Sequence, residues 1–254
     1  MTNRMLVRQR ELRLRCLDVL NQWGAGHVGR ALSAIDLLEA LYFGQESGRS
    51  IFRYDPALPQ WSERDVFVLS EVEVLAALYV VLEEAGYRLP GSLPLLMDRK
   101  VPGVEMSMDR SGCGLAYAVG VANALKMEKS RSRVFCLVGE HELLRGQAWE
   151  AVMLAAERRL DNLIVVVNDS ALRDRGLSEP FEAFGYKVAR VLNGHDHDDL
   201  VHAYVRARLT QRKPACVIAR TKKCSGVPFA EAKSEYDNVI FSDREYKEAR
   251  AILL

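Results

Sequence analysis

Four largely apolar runs, Val134–Val138, Leu163–Val167, Tyr186–Leu192 and Ala215–Arg220, constrain this chain most, because helical patterns at Gln147–Arg159 and Asp198–Gln211 separate them. A strand that is apolar along its length is covered on both faces, so this alternation predicts an α/β fold: a mostly parallel sheet with helices on both faces. A fifth strand, Asp65–Leu69, precedes a helix over about Val72–Ala85. With 254 residues, 49% of them hydrophobic, and no internal repeat or low-complexity linker, the chain reads as a single domain over residues 1–254.

Other elements follow from local signals. Leu12, Cys16, Val19, Leu20 and Trp23 repeat at helical spacing and stop before Gly24 and Gly26. Ser33 is expected to cap a helix over Ala34–Phe43, and Ser242 a last helix with Glu245 three residues on. The glycine-rich approach SGCG at Ser111–Gly114 precedes small residues that suit a helix packed closely on a sheet.

Lys and Arg number 35 against 34 Asp and Glu, so no charge excess points to nucleic acid or to an anionic membrane surface. No apolar run approaches the roughly 18 residues of a membrane span, and the start lacks the apolar core of a signal peptide. Cys16, Cys113, Cys136, Cys216 and Cys224 show no CxxC spacing. A soluble, cytoplasmic protein with reduced thiols is the expectation.

In such sheets ligands bind beyond the carboxyl ends of the strands. That rule brings three loops to one rim: Gly139–Gly146 (GEHELLRG), Asn168–Gly176 and Ser111–Gly114. A helix amino terminus beside glycines offers free N–H groups to phosphate, so an anionic ligand is expected there. Glu140, His141 and Glu142 then crowd the end of a strand.

In order along the chain, GHVGRALSAIDLLEALYFG, DVFVLSEVEVLAALYVVLEEAGY, PGVEMSMDRSGCGLAYAVGVANALK and GEHELLRGQAWEAVMLAAERRLDNLIVVVNDS resemble the amino-terminal half of transketolases. More closely, the chain looks like the separate amino-terminal subunit of a two-chain transketolase. The resemblance implies a thiamine-diphosphate-binding fold in which this subunit holds the cofactor's diphosphate through Mg. It also implies a carboxy-terminal, pyrimidine-domain partner subunit that supplies the activating glutamate, in a heterotetramer or dimer of heterodimers. By the same resemblance, Gly112, Gly114, Gly139, Glu140, His141 and Ser170 face the cofactor, and His27 is the catalytic, substrate-facing candidate. Metal ligands would be Glu140 and Ser170, with Asn168 a substitute.

The resemblance breaks where the cofactor would sit. The family's Gly-Asp-Gly-Glu reads Gly139-Glu140-His141-Glu142 here, and Ser170 stands at the position of a ligating Asn. Mg needs near-ideal octahedral geometry, and a Glu for Asp moves the carboxylate by about 1.5 Å. His141 adds a side chain where glycine allows close approach of phosphate. A Gly-His pair is replaced by Val72-Glu73, and a Trp-His-Gly motif has no match in Lys233–Asp237. Losing one proton donor costs a factor of roughly 100 to 10,000.

Three functions remain open on the sequence. The first is a diverged subunit of a transketolase-like enzyme moving a ketol or acyl unit to a carbonyl acceptor in specialised carbohydrate metabolism. The second is a catalytically silent paralogue that scaffolds or regulates a partner subunit. The third is a metal-dependent hydrolase built on Glu140, His141 and Glu142. Other residues carry plainer expectations. In His195–Asp199 (HDHDD) a capping Asp196 or Asp198 is expected, Lys222 and Lys223 read as surface charges, and Trp149, Leu154 and Leu160 as core or subunit contact.

Overall fold

The computed structural model describes residues 2–171 and 176–254, with side chains from residue 5. Its centre is a five-stranded parallel sheet. The helices are α1 (Thr2–Trp23), α2 (Val28–Phe43), α3 (Leu75–Glu84), α4 (Gly114–Met127), α5 (Gly146–Glu157), α6 (Ser178–Ala183), α7 (His197–Arg208) and α8 (Asp243–Leu253). A small antiparallel hairpin, β1 (Gln45–Glu46) and β2 (Arg49–Ser50), stands apart from the sheet. The sheet strands β3 (Val66–Leu69), β4 (Val134–Gly139), β5 (Leu163–Asp169), β6 (Lys187–Val191) and β7 (Ala215–Arg220) lie in the order β3-β4-β5-β7-β6.

That order fixes which helix covers which face. The chain steps from β3 to β4 to β5 and on to β6 in one direction, then returns to insert β7. Right-handed crossovers put α4, α5 and α6 on one face and α7 on the other. The packing agrees: Val134, Cys136, Val138, Val165 and Val167 meet α4 and α5, whereas Phe135, Leu137, Ile164 and Val166 meet the layer of α1, α2, α3, α7 and α8. Each fully buried Leu, Val or Phe side chain contributes about 1.5–3 kcal/mol.

β3, β4 and β5 are buried at every position, as their unbroken apolar sequence requires. β6 is the edge. It exposes Lys187 and Arg190, and charge on an edge strand discourages pairing with another chain.

Two boundaries differ from the sequence expectation. α2 begins at Val28, with His27 in the capping position, so Ser33 lies inside the helix and its hydroxyl bonds Arg30 O at 2.7 Å. The small residues of GHVGRALSA pack the helix tightly, and burial overrides the capping preference of Ser33. The segment after β3 opens with a 3-10 turn, Val72–Val74, before α3. The capping box at Ser242 and Glu245 is present. Among the described residues no helix is long and apolar enough to cross a membrane.

Candidate functional site

The carboxyl ends of β3, β4, β5 and β7 converge at one rim. The parallel register sets Gly139 opposite Asn168, and Asp169 opposite Arg220. The residues just past the strand ends, Glu71, Glu140, Ser170 and Thr221, therefore meet over the sheet. α2 brings Arg30 and Ser33 from one side, and the Ser111–Gly114 turn and the Glu142–Leu144 turn bring Ser111 and Arg145 from the other. Residues 172–175 of the predicted third loop lie outside the described residues.

Glu142 is wholly buried and closes its own turn. Its carboxyl accepts from Ser70 Oγ at 2.7 Å and from the Gly139 amide at 2.8 Å. Burial pushes its carboxyl up, against the lowering effect of those bonds.

Asn168 is tied on both sides of its amide. Its Nδ2 donates to Ser33 Oγ at 3.0 Å and to Glu71 Oε2 at 3.1 Å, and its Oδ1 accepts from Thr221 Oγ1 at 2.7 Å. Glu71 has no exposed surface. Burial, then the charges of Glu140 and Glu142, push its carboxyl well above the usual range. Its Oε1 lacks a hydrogen-bond partner and lies 3.7 Å from Arg30 Nη1.

His141 is held from both ends. Its Nδ1 accepts from Arg30 Nη1, and its Nε2 stands 3.5 Å from Glu73 Oε1. Glu73 also accepts from Ser111 Oγ. Burial pushes the Glu73 carboxyl up, but His141 and Ser111 outweigh it and hold the group at about 2. A chain of contacts thus runs Arg30, His141, Glu73, Ser111 across the rim.

Glu140 and Ser170 lie side by side at the rim: Ser170 Oγ donates to Glu140 Oε2 at 3.4 Å, with both residues buried. Asn168 does not join them, because its amide turns toward α2. Glu140, His141 and Glu142 have three separate sets of partners and do not converge. Among the described residues no three His, Cys, Asp or Glu side chains are placed to share a metal ion. A hydrolase metal centre on that tripeptide therefore has no geometry to support it.

The predicted glycines sit at close approaches. A Cβ on Gly139 would lie 2.5 Å from His141 Cε1 and 2.7 Å from the Glu71 carboxyl. Gly112, at φ 116°, has the same relation to Arg145, whose Nη1 is 2.8 Å away. Arg145 also donates to Ser111 O. At Gly114 the neighbour is the Ser70 Cα at 2.5 Å, a helix-to-strand contact. His27 stands apart from these, in a cleft of about 420 Å³ that Trp23, Glu73, Met97, Ser111 and Arg145 also line. Its Nδ1 is buried without a hydrogen-bond partner.

Sequence reasoning did not assign Arg30, Ser33, Glu71 or Thr221 to the rim. The available signal was a charged residue inside an otherwise apolar stretch: Arg30 in VGRALSAI and Glu71 in VLSEVEVLA. The HDHDD loop does provide the helix cap, through Asp196 to the Asp199 amide at 3.0 Å, while its histidines bind buried acids of α2. Lys223 is a correction. It is buried and paired with Asp237 rather than a surface charge. Leu160 is core, Trp149 packs on Phe181 and Phe184, and Leu154 is exposed.

Comparison with known proteins places this arrangement. The family described as "Transketolase, thiamine diphosphate binding domain" matches residues 5–93 and 94–253. The chain is 34% identical to the 6-deoxy-6-sulfo-D-fructose transketolase subunit of a Clostridium species, over 93% of this chain and 91% of that protein. It is 30% identical to an apulose-4-phosphate transketolase subunit of Phocaeicola vulgatus, over 93% of this chain and 89% of that protein. The solved transketolase of Campylobacter jejuni superposes with a TM-score of 0.86 at 26% identity, covering 100% of this chain but 43% of its own length. The chain therefore belongs to the transketolase family and corresponds to its amino-terminal, thiamine-diphosphate-binding domain.

Proposed function

We propose that this chain is the diverged amino-terminal subunit of a two-chain transketolase-like assembly of specialised carbohydrate metabolism. The observation that carries the reading is coverage. The chain matches about nine tenths of separate subunits whose names give sulfofructose and apulose phosphate as their sugars. It matches only two fifths or so of a single-chain transketolase. A second subunit with a pyrimidine-binding domain completes such an assembly, and ketol or acyl transfer to a carbonyl acceptor is its reaction class. His27, in its cleft beside Arg145 and Ser111, is the side chain offered to a sugar substrate.

The residues present do not fit a magnesium-held diphosphate. Asn168 is committed on both sides of its amide, and side chains cover Gly112 and Gly139. The same observation favours a second reading, in which the chain is catalytically silent and scaffolds or regulates its partner.

Co-expression with the pyrimidine-domain subunit of the same organism, followed by size exclusion with light scattering, tests the proposal. A heterotetramer with the two chains in equal number is expected. Separate elution of the two chains would overturn it.

A further inference from the structure

We propose that the protein fills its own diphosphate place. Glu71 and His141, clamped by Arg30 and Glu73, occupy the approach to Gly139, Arg145 covers Gly112, and the protein takes up neither magnesium nor thiamine diphosphate at this rim. The inference rests on reading the rim as the cofactor-facing floor of a transketolase-like subunit.

The steric case is strongest at Gly139. A glycine at a strand end is useful to a phosphate only when nothing else stands over its α-carbon. Here His141 Cε1 and the Glu71 carboxyl already stand 2.5 and 2.7 Å from the position a Cβ would take. Arg145 is exposed and can swing from Gly112 at little cost. Glu71 cannot do the same, because it is wholly buried and bonded to Asn168, which is itself bonded to Ser33 and Thr221. His141 accepts from Arg30 at Nδ1, and its Nε2 stands 3.5 Å from Glu73 Oε1 without a hydrogen bond.

The electrostatic case points the same way. Four glutamates, Glu71, Glu73, Glu140 and Glu142, face this rim against Arg30 and Arg145. Arg30 is already turned to His141 and Glu71, and Arg145 to the Ser111 carbonyl. Among the described residues, both of these arginines are therefore already engaged. A bound cation would have to supply the charge an anionic head group needs, and Asn168, one of the side chains expected to hold that cation, is committed on both sides of its amide. Arg30, Glu71 and Glu73 therefore act as an internal replacement for the head group.

Calorimetric titration with magnesium plus pyrophosphate probes the head-group place by itself, and needs only this chain. It is run on the full chain alone and on the assembled complex, and repeated with magnesium plus thiamine diphosphate. No saturation is expected up to about 1 mM in any of these. A variant that clears the approach and restores the family's ligands, Glu71→Ala, Glu140→Asp, His141→Gly and Ser170→Asn together, is expected to bind at least tenfold more tightly. Far-ultraviolet dichroism and a thermal transition check that this variant is folded. A double variant, Glu71→Ala with His141→Gly, serves if the fourfold one is not. Stoichiometric binding by the parent overturns the inference, as does a folded variant that binds no better. Because the pyrophosphate arm does not require the partner, failure to assemble refutes the proposed function without touching this result.

Discussion

Asp36 and Glu39 sit one turn apart on α2, both without exposed surface, and each holds one arginine of α1 and one histidine at the entry to α7. Asp36 pairs with Arg13 and, at 2.6 Å, with His195 Nδ1. Glu39 pairs with Arg8 at 3.0 Å and with His197 Nδ1 at 2.6 Å. Removing one member of a buried pair leaves the other uncompensated, which costs about 3–5 kcal/mol. Asp36→Ala should lower the urea midpoint by that equivalent without changing the slope. His197 gives the pH dependence. Burial pushes its imidazole down, but the Glu39 hydrogen bond and charge, with Asp198, outweigh burial and the opposing Arg8, so its folded pKa is raised. A raised folded value means a stability contribution that is complete below the unfolded pKa of about 6.5 and fades as pH rises through the folded one. The urea midpoint should fall as pH rises above about 6.5, and His197→Gln should flatten that fall. An unchanged pH dependence in the variant would assign the effect elsewhere. None of this was legible in HDHDD itself. The sequence signalled a cap, and Asp196 is one, but the acids that receive the histidines lie some 160 positions earlier on an apolar helix.

At the scale of elements, strand identity was readable because β3, β4, β5 and β7 carry unbroken apolar runs. Strand order was not, since it depends on where α7 returns the chain. The start of α2 was misread from Ser33, where tertiary packing against Asn168 takes the hydroxyl that would otherwise cap. α6 went unseen because it has six residues and one buried apolar side chain, too few for a periodic signal. Gly114 tests how closely α4 meets β3. In an exposed helix interior, Gly→Ala is worth about 1 kcal/mol of added stability. Here the new Cβ meets the Ser70 Cα at 2.5 Å, a backbone atom that cannot rotate away. Overpacking of about 1–3 kcal/mol should win, so Gly114→Ala is expected to destabilise on thermal unfolding. Ser242→Ala removes the side-chain cap of the α8 capping box and should cost about 1 kcal/mol by the same measurement.

For the whole molecule, the fold and the family were legible, while the state of the rim was legible only in outline. Glu140, His141 and Ser170 announced a departure from the cofactor motif, but their consequence depended on Arg30, Glu71 and Glu73, which only the folded chain brings beside them. The fold of the thiamine-diphosphate-binding domain is kept. On the proposed reading the place of the head group is taken by the protein's own side chains, which separates two properties: pairing with a pyrimidine-domain subunit, and holding thiamine diphosphate. A native mass spectrum of the tagged assembly, purified in the presence of magnesium and thiamine diphosphate, reads both at once. The expected spectrum shows this chain with a pyrimidine-domain chain in equal number and no thiamine diphosphate mass increment. A complex carrying one cofactor for each copy of this chain, or a homomer with no second chain, would contradict it.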